Sequence, residues 1–305
     1  MKRLFILIFC FITTVAFSEE NCEYNYISAK LKEDCTGIKT DLENIKKYGV
    51  ANVIVTGVGT VAAGGALYAG IKKKDLDAKA EELDKKMQNI ENLSDAEFVK
   101  FLKEMAKYEE LKEQYDSMCQ MKHDYQAQSQ KLGNVRTGLM VGNTATAVAG
   151  TLISSKNKND SRSIKDKIQI CLNTINSLQQ KIGQTMFDCV PGQYEKLRKT
   201  VSICNSLSTK DMDKVSNRNQ ISSVVSGINI GTGAAGVITS ALANNSQHRN
   251  NYDDKTKNLN TAANVFAGTS MVASGVSTIF NASTLSSINS NLSISADCEE
   301  ALNQL

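Results

Sequence analysis

The stretch GLMVGNTATAVAGTLIS, Gly138–Ser154, decides how this chain is read. It carries no charge, and Gly138, Gly142, Thr146, Gly150 and Ser154 recur at every fourth position. On an α-helix that spacing sets all five on one side and leaves a groove with no large side chain in it. A second helix can then approach closely. Four uncharged stretches share this character: Tyr48–Ile71, Thr137–Ser155, Asn219–Gln247 and Asn258–Ala296. In the third, Ser223, Gly227, Gly231, Ala235, Thr239 and Ala243 repeat the i, i+4 row.

Amphipathic segments separate them. Leu31, Cys35, Ile38, Leu42 and Ile45 alternate steps of four and three, a heptad seam within a helix over 22–47. Leu76, Ala80, Leu83, Met87 and Ile90 continue the pattern in a charged helix over 75–92, and Ser94 with Glu97 has the form of a capping box opening a new one. That helix carries Phe101, Met105, Tyr108, Lys112, Tyr115 and Cys119 on one stripe. Lys156–Ser163 reads as a polar linker, and Ile164, Ile168, Cys171, Ile175, Leu178 and Ile182 form a further seam. After Val190-Pro191-Gly192 a helix starts near Tyr194, Ser208 and Asp211 mark another cap, and His248–Asp254 reads as a turn. With one proline, no tryptophan and 6% aromatics, a β-sandwich is disfavoured. The expected fold is all-α, with long coiled-coil-like helices alternating with four Gly/Ala/Ser-rich helices paired as two antiparallel hairpins.

Lys2 and Arg3 before the apolar run Leu4–Ile12, then Ala16-Phe17-Ser18, have the layout of a signal peptide over 1–18, cleaved before Glu19. Loss of Lys2 and Arg3 would lower the net charge from +3 to +1, far from the basic field that nucleic acid requires. The expected organisation after the signal is a first hairpin unit over 19–190, with a charged excursion at 72–131, and a second over 191–305.

Seven cysteines would remain, an odd number. Two hairpins turning near residues 103 and 251 set equidistant residues side by side. That centring pairs Cys35 with Cys171, Cys22 with Cys189 and Cys204 with Cys298, and leaves Cys119 single. With the N-terminus outside a membrane, the paired cysteines face the oxidising side and Cys119 the reducing side.

Tyr48–Ile71 has the length and apolarity of a membrane span; the other three stretches are weaker, and Asn143, Asn229 and Asn264 within them would need partners across helix interfaces. The run Gly57-Val58-Gly59-Thr60-Val61-Ala62 fits a dinucleotide fingerprint only on the surface, because no strands accompany it. His123 and His248 stand far apart, and no Cys-x-x-Cys occurs. Neither catalysis, a cofactor, a metal nor a small-molecule substrate is inferred.

The expected function is that of an exported cell-envelope membrane protein with a structural or interaction role. It would partner the bilayer and either itself or another helical protein through the grooves at Gly138, Gly142, Gly150, Gly227, Gly231 and Ala235. The seam over 76–119 is the expected docking surface. The alternative is a secreted α-helical pore-forming toxin or effector whose hairpins insert into a target membrane.

Overall fold

The computed structural model describes residues 24–101, 105–182, 192–248 and 254–305. The signal segment, Cys22, Cys189 and both expected hairpin turns lie outside the described residues. The fold is all-α, and no strand occurs among the described residues. A short helix α1 (24–35) precedes α2 (Ile38–Phe101), α3 (Met105–Ile182), α4 (Gln193–Cys204), α5 (Thr209–His248) and α6 (Asp254–Asn303). Gly57 and Gly59 lie mid-helix in α2, so the nucleotide-like run has no strand before it.

Three local expectations change. The helix over 22–47 is broken at Thr36–Gly37, where Gly37 takes φ 85, a left-handed conformation that only glycine adopts without strain. No helix begins at Ser94: α2 continues to Phe101, since neither glycine nor proline interrupts residues 75–101. Nor is 156–163 a linker. It is part of α3, with Lys156, Asn159, Arg162 and Ser163 exposed, Asn157 and Ser161 buried, and the Ser161 hydroxyl donating to the Asn157 carbonyl at 2.5 Å. Ser208 does cap α5, its Oγ accepting from the Asp211 amide at 3.3 Å. Asn291 of α6 grips the same residue, accepting from the Ser208 amide and donating to its carbonyl.

The chain divides into two compact units, each drawing on all four long helices. The expected boundary at 190/191 follows chain order and falls outside the described residues.

The first unit comprises Met1–Val53, Leu152–Ser223 and Ile279–Leu305. Its core is that of a water-soluble protein: Leu31, Ile38, Leu42, Ile168, Ile175 and Met212 are all fully buried or nearly so. Burying each such side chain contributes about 1.5–3 kcal/mol. The α1, α2 and α3 seams meet here, so the heptads face one another. Two disulfides lie within this core, Cys35–Cys171 and Cys204–Cys298, each with Cα atoms 4.8 Å apart.

The second unit comprises Ile54–Thr151 and Val224–Thr278. Cross-helix contacts set its register. On α2 and α3, the position of Gly59 neighbours Thr146 while Lys73 donates to Ser129, so numbering rises on one helix as it falls on the other. The pairs Asn143–Asn229 and Arg136–Ser240 do the same for α3 and α5, and Asn229–Ser274 and Thr232–Ser270 for α5 and α6. Thr60 meets Thr278 between α2 and α6.

Candidate membrane interface

The second unit is packed inside out. Its buried apolar side chains are almost all alanine (Ala63, Ala66, Ala147, Ala263 and Ala267 among them), joined by Met87 and Met140. The branched side chains that would fill an aqueous core point outward: Ile54, Val58, Val61, Ile228, Val265 and Val272 are exposed, Val61 by 77% and Val272 by 67%. A soluble monomer does not usually present so much contiguous apolar surface.

Inside, polar side chains satisfy one another. Asn143 of α3 donates to Asn229 Oδ1 of α5 at 3.0 Å and accepts from Ser274 Oγ of α6 at 3.0 Å, while Asn229 Nδ2 donates to the same Ser274 Oγ at 2.7 Å. Ser226 meets Ser277 at 3.1 Å, and Thr232 meets Ser270 at 2.9 Å. Asn264 accepts from Arg136 at 3.1 Å. Each of the three asparagines flagged from sequence thus has a partner on another helix. Where no water competes, such groups must find partners within the protein.

Outward hydroxyls are handled locally. Thr261 and Thr269 donate to their own helix, to the carbonyls of Lys257 and Val265, each at 3.0 Å. This back-bonding leaves a threonine on an outer face with no need of solvent.

The glycines fall into two groups. Gly138, Gly142, Gly227 and Gly231 face outward, and a Cβ added to any of them would meet nothing within 4 Å. Gly150 is buried and Ala235 half-buried. The outer members of the sequence-predicted grooves therefore do not pack this chain's own helices. Other glycines do so by admitting a side chain: Gly59 makes room for Thr146 and Asn143, Gly70 for Asn264 and Arg136, Gly133 for Asn244 and Gly233 for Thr144. A glycine notch facing a polar side chain, rather than a groove facing a helix, is the packing device here, and spacing on one helix cannot reveal it. The seam over 76–90 is also occupied internally, since Ala80 and Met87 are buried.

Beyond the apolar surface the second unit becomes polar. Glu81 joins Lys257 at 2.9 Å, and hydrogen bonds from Lys257 and Lys85 hold its carboxyl below the usual range. Tyr115 donates to Glu91 at 2.6 Å, which pushes its phenol up to about 12. Cys119 is a half-buried free thiol.

Among the described residues, three helical stretches are long and apolar enough to cross a membrane, within Tyr24–Glu91, Gln193–Asn245 and Asp254–Asn303. These helices are compatible with membrane association, and the disulfides fit an oxidising, exported environment. No family model, no curated protein and no solved structure matches the chain.

Removing the central asparagine tests the polar interior. Asn143→Ala leaves Asn229 and Ser274 each short of a partner, at an expected cost of about 1–2 kcal/mol. Thermal unfolding in detergent measures this; a variant as stable as the parent would mean that the network does not hold the helices together.

Proposed function

We propose that this chain is an exported cell-envelope membrane protein whose second unit is embedded in lipid and whose disulfide-bonded first unit faces the oxidising side. Its role is structural or one of interaction, without catalysis. The observation that carries the reading is the inverted second unit, with valine and isoleucine outside and asparagine, serine and threonine inside.

Two border features agree with it. Tyr48 lies under Lys156, whose ammonium is 3.9 Å from the ring centre, and Tyr68 lies beside Lys72 at 6.0 Å. From residue 48 to 68, α2 rises about 30 Å, the thickness of a bilayer's hydrocarbon core, and tyrosine and lysine are interface anchors. Lys72, Lys73 and Lys74 then follow on the inner side.

The outward glycines suit self-association. Gly138 and Gly142 flank exposed Val141, and Gly227 and Gly231 enclose exposed Ile228, so each helix offers a shallow face beside a branched knob. The toxin reading requires a hairpin hidden until insertion. The exposure of Val61 and Val272 favours the resident reading over this one.

Fractionation tests the proposal. The expressed native chain should remain in membranes after an alkaline carbonate wash. Recovery in the medium or the soluble extract would overturn the membrane assignment.

A further inference from the structure

We propose, resting on the membrane reading above, that a cationic collar on the first unit binds the headgroups of anionic phospholipids. Asn52 donates to Ser154 at 2.8 Å, Ser154 to Ser222 at 3.3 Å, and Arg218 to the Ser283 carbonyl at 2.7 Å. Counted along the helices from these contacts, residues 44–50 of α2, 156–162 of α3, 214–220 of α5 and 283–289 of α6 lie side by side. Each segment rises about 10 Å, little more than the headgroup layer of one leaflet, about 5–8 Å.

Charge in this layer has one sign. Helix α2 contributes Lys46 and Lys47, α3 Lys156, Lys158 and Arg162, and α5 Lys214 and Arg218, while α6 contributes none. Asp160 is the one acid. Lys214 is answered by Asp211 at 2.8 Å, just beyond the layer; the other cations outnumber the carboxylate six to one. Lys47, Lys156 and Arg162 are exposed. The adjoining layer, residues 37–43, 163–169 and 207–213, is nearly balanced, and there Lys165 meets Asp213 at 2.8 Å and Lys167 meets Asp41 across helices. The excess is therefore confined to the collar.

Its place on the chain selects lipid as the partner. Exposed Tyr48 stands within the collar, its hydroxyl accepting from Lys156 at 2.7 Å, and tyrosine with lysine favours the headgroup boundary. On α2 the exposed apolar residues Val50, Ile54 and Val58 follow directly. Lysine and arginine are usually held to the cytoplasmic side, so an excess on the oxidising side calls for anions there. Each basic residue close to an anionic leaflet is attracted to it. Spread over three helices, these cations suit a layer of headgroups and not one enclosed ion.

The test reconstitutes the purified full-length chain into vesicles of phosphatidylcholine alone, or of phosphatidylcholine mixed with phosphatidylglycerol, and follows melting by circular dichroism. The anionic lipid should raise the melting temperature by roughly 5 °C, and strong salt should erase the gain. The combined variant Lys47→Gln, Lys156→Gln and Arg162→Gln should lose most of it yet still resist carbonate extraction. Lys196→Gln, Arg198→Gln and Lys199→Gln on α4 make the same charge change outside the collar and should keep the gain. Inorganic phosphate added to phosphatidylcholine vesicles should give none. A carbonate-resistant parent that melts equally in both vesicles would overturn the collar and leave the membrane assignment standing, a result that needs no variant to fold. Failure to enter phosphatidylcholine vesicles would overturn both. A full gain in the collar variant, or an equal gain from inorganic phosphate, would also sink the proposal.

Discussion

Lysine at both Val61 and Val272 should release the protein from carbonate-washed membranes. Each side chain projects from the second unit, on α2 and α6 respectively, and touches little of the chain itself. In water such substitutions are close to neutral, within about 0.5 kcal/mol. Near the centre of a bilayer each lysine costs about 2.5–3.5 kcal/mol, and snorkelling recovers only part of that. The two media thus predict opposite results from one variant. A control distinguishes charge from position: Ile170→Lys alters an exposed apolar residue of the first unit and should leave fractionation unchanged. If the double variant stays in the membrane as the parent does, the outer surface of the second unit does not face lipid.

Cys35→Ser should lower the melting temperature by roughly 10 °C, corresponding to about 3 kcal/mol. The bond joins the end of α1 to α3 across a sequence separation of 136 and is fully enclosed by the apolar core. Its loss releases a long loop in the unfolded chain and leaves the Cys171 thiol buried in the apolar core of the native one. Reductant applied to the parent should give a comparable loss, whereas Cys119→Ser, at a thiol already free, should not. Equal melting of parent and Cys35→Ser under oxidising conditions would mean that this bridge does not support the fold.

Much of the architecture is written in spacing. The steps of four and three through Leu31, Cys35 and Leu42, and through Ile164, Ile168 and Cys171, place those residues on facing seams, and the structure joins Cys35 and Cys171 where the seams meet. Centring on a turn near 251 similarly names Cys204 and Cys298. Orientation was not legible. A glycine turned toward the outside, such as Gly138, and one that receives an asparagine, such as Gly70, look alike in sequence, because the difference lies in the partner helix. Polarity misled for a related reason: 156–163 resembles a linker only if polar residues are assumed to seek water, and here Asn157 and Ser161 face inward. Arg136 stands in sequence just before an uncharged segment, and nothing in its neighbours announces that it donates to Ser240, Asn260 and Asn264.

The sequence separation of the Cys35–Cys171 bridge also sets a timetable for biogenesis. Cys35 emerges early, but its partner is not made until α2 and most of α3 exist. The bond can close only after both helices have been delivered and brought alongside each other. Cys204 must wait in the same way for Cys298, across a sequence separation of 94. A chain ending before residue 171 contains neither pair, so non-reducing electrophoresis of nascent chains of increasing length shows when each bond closes. The covalent links thus act as a late seal on assembly.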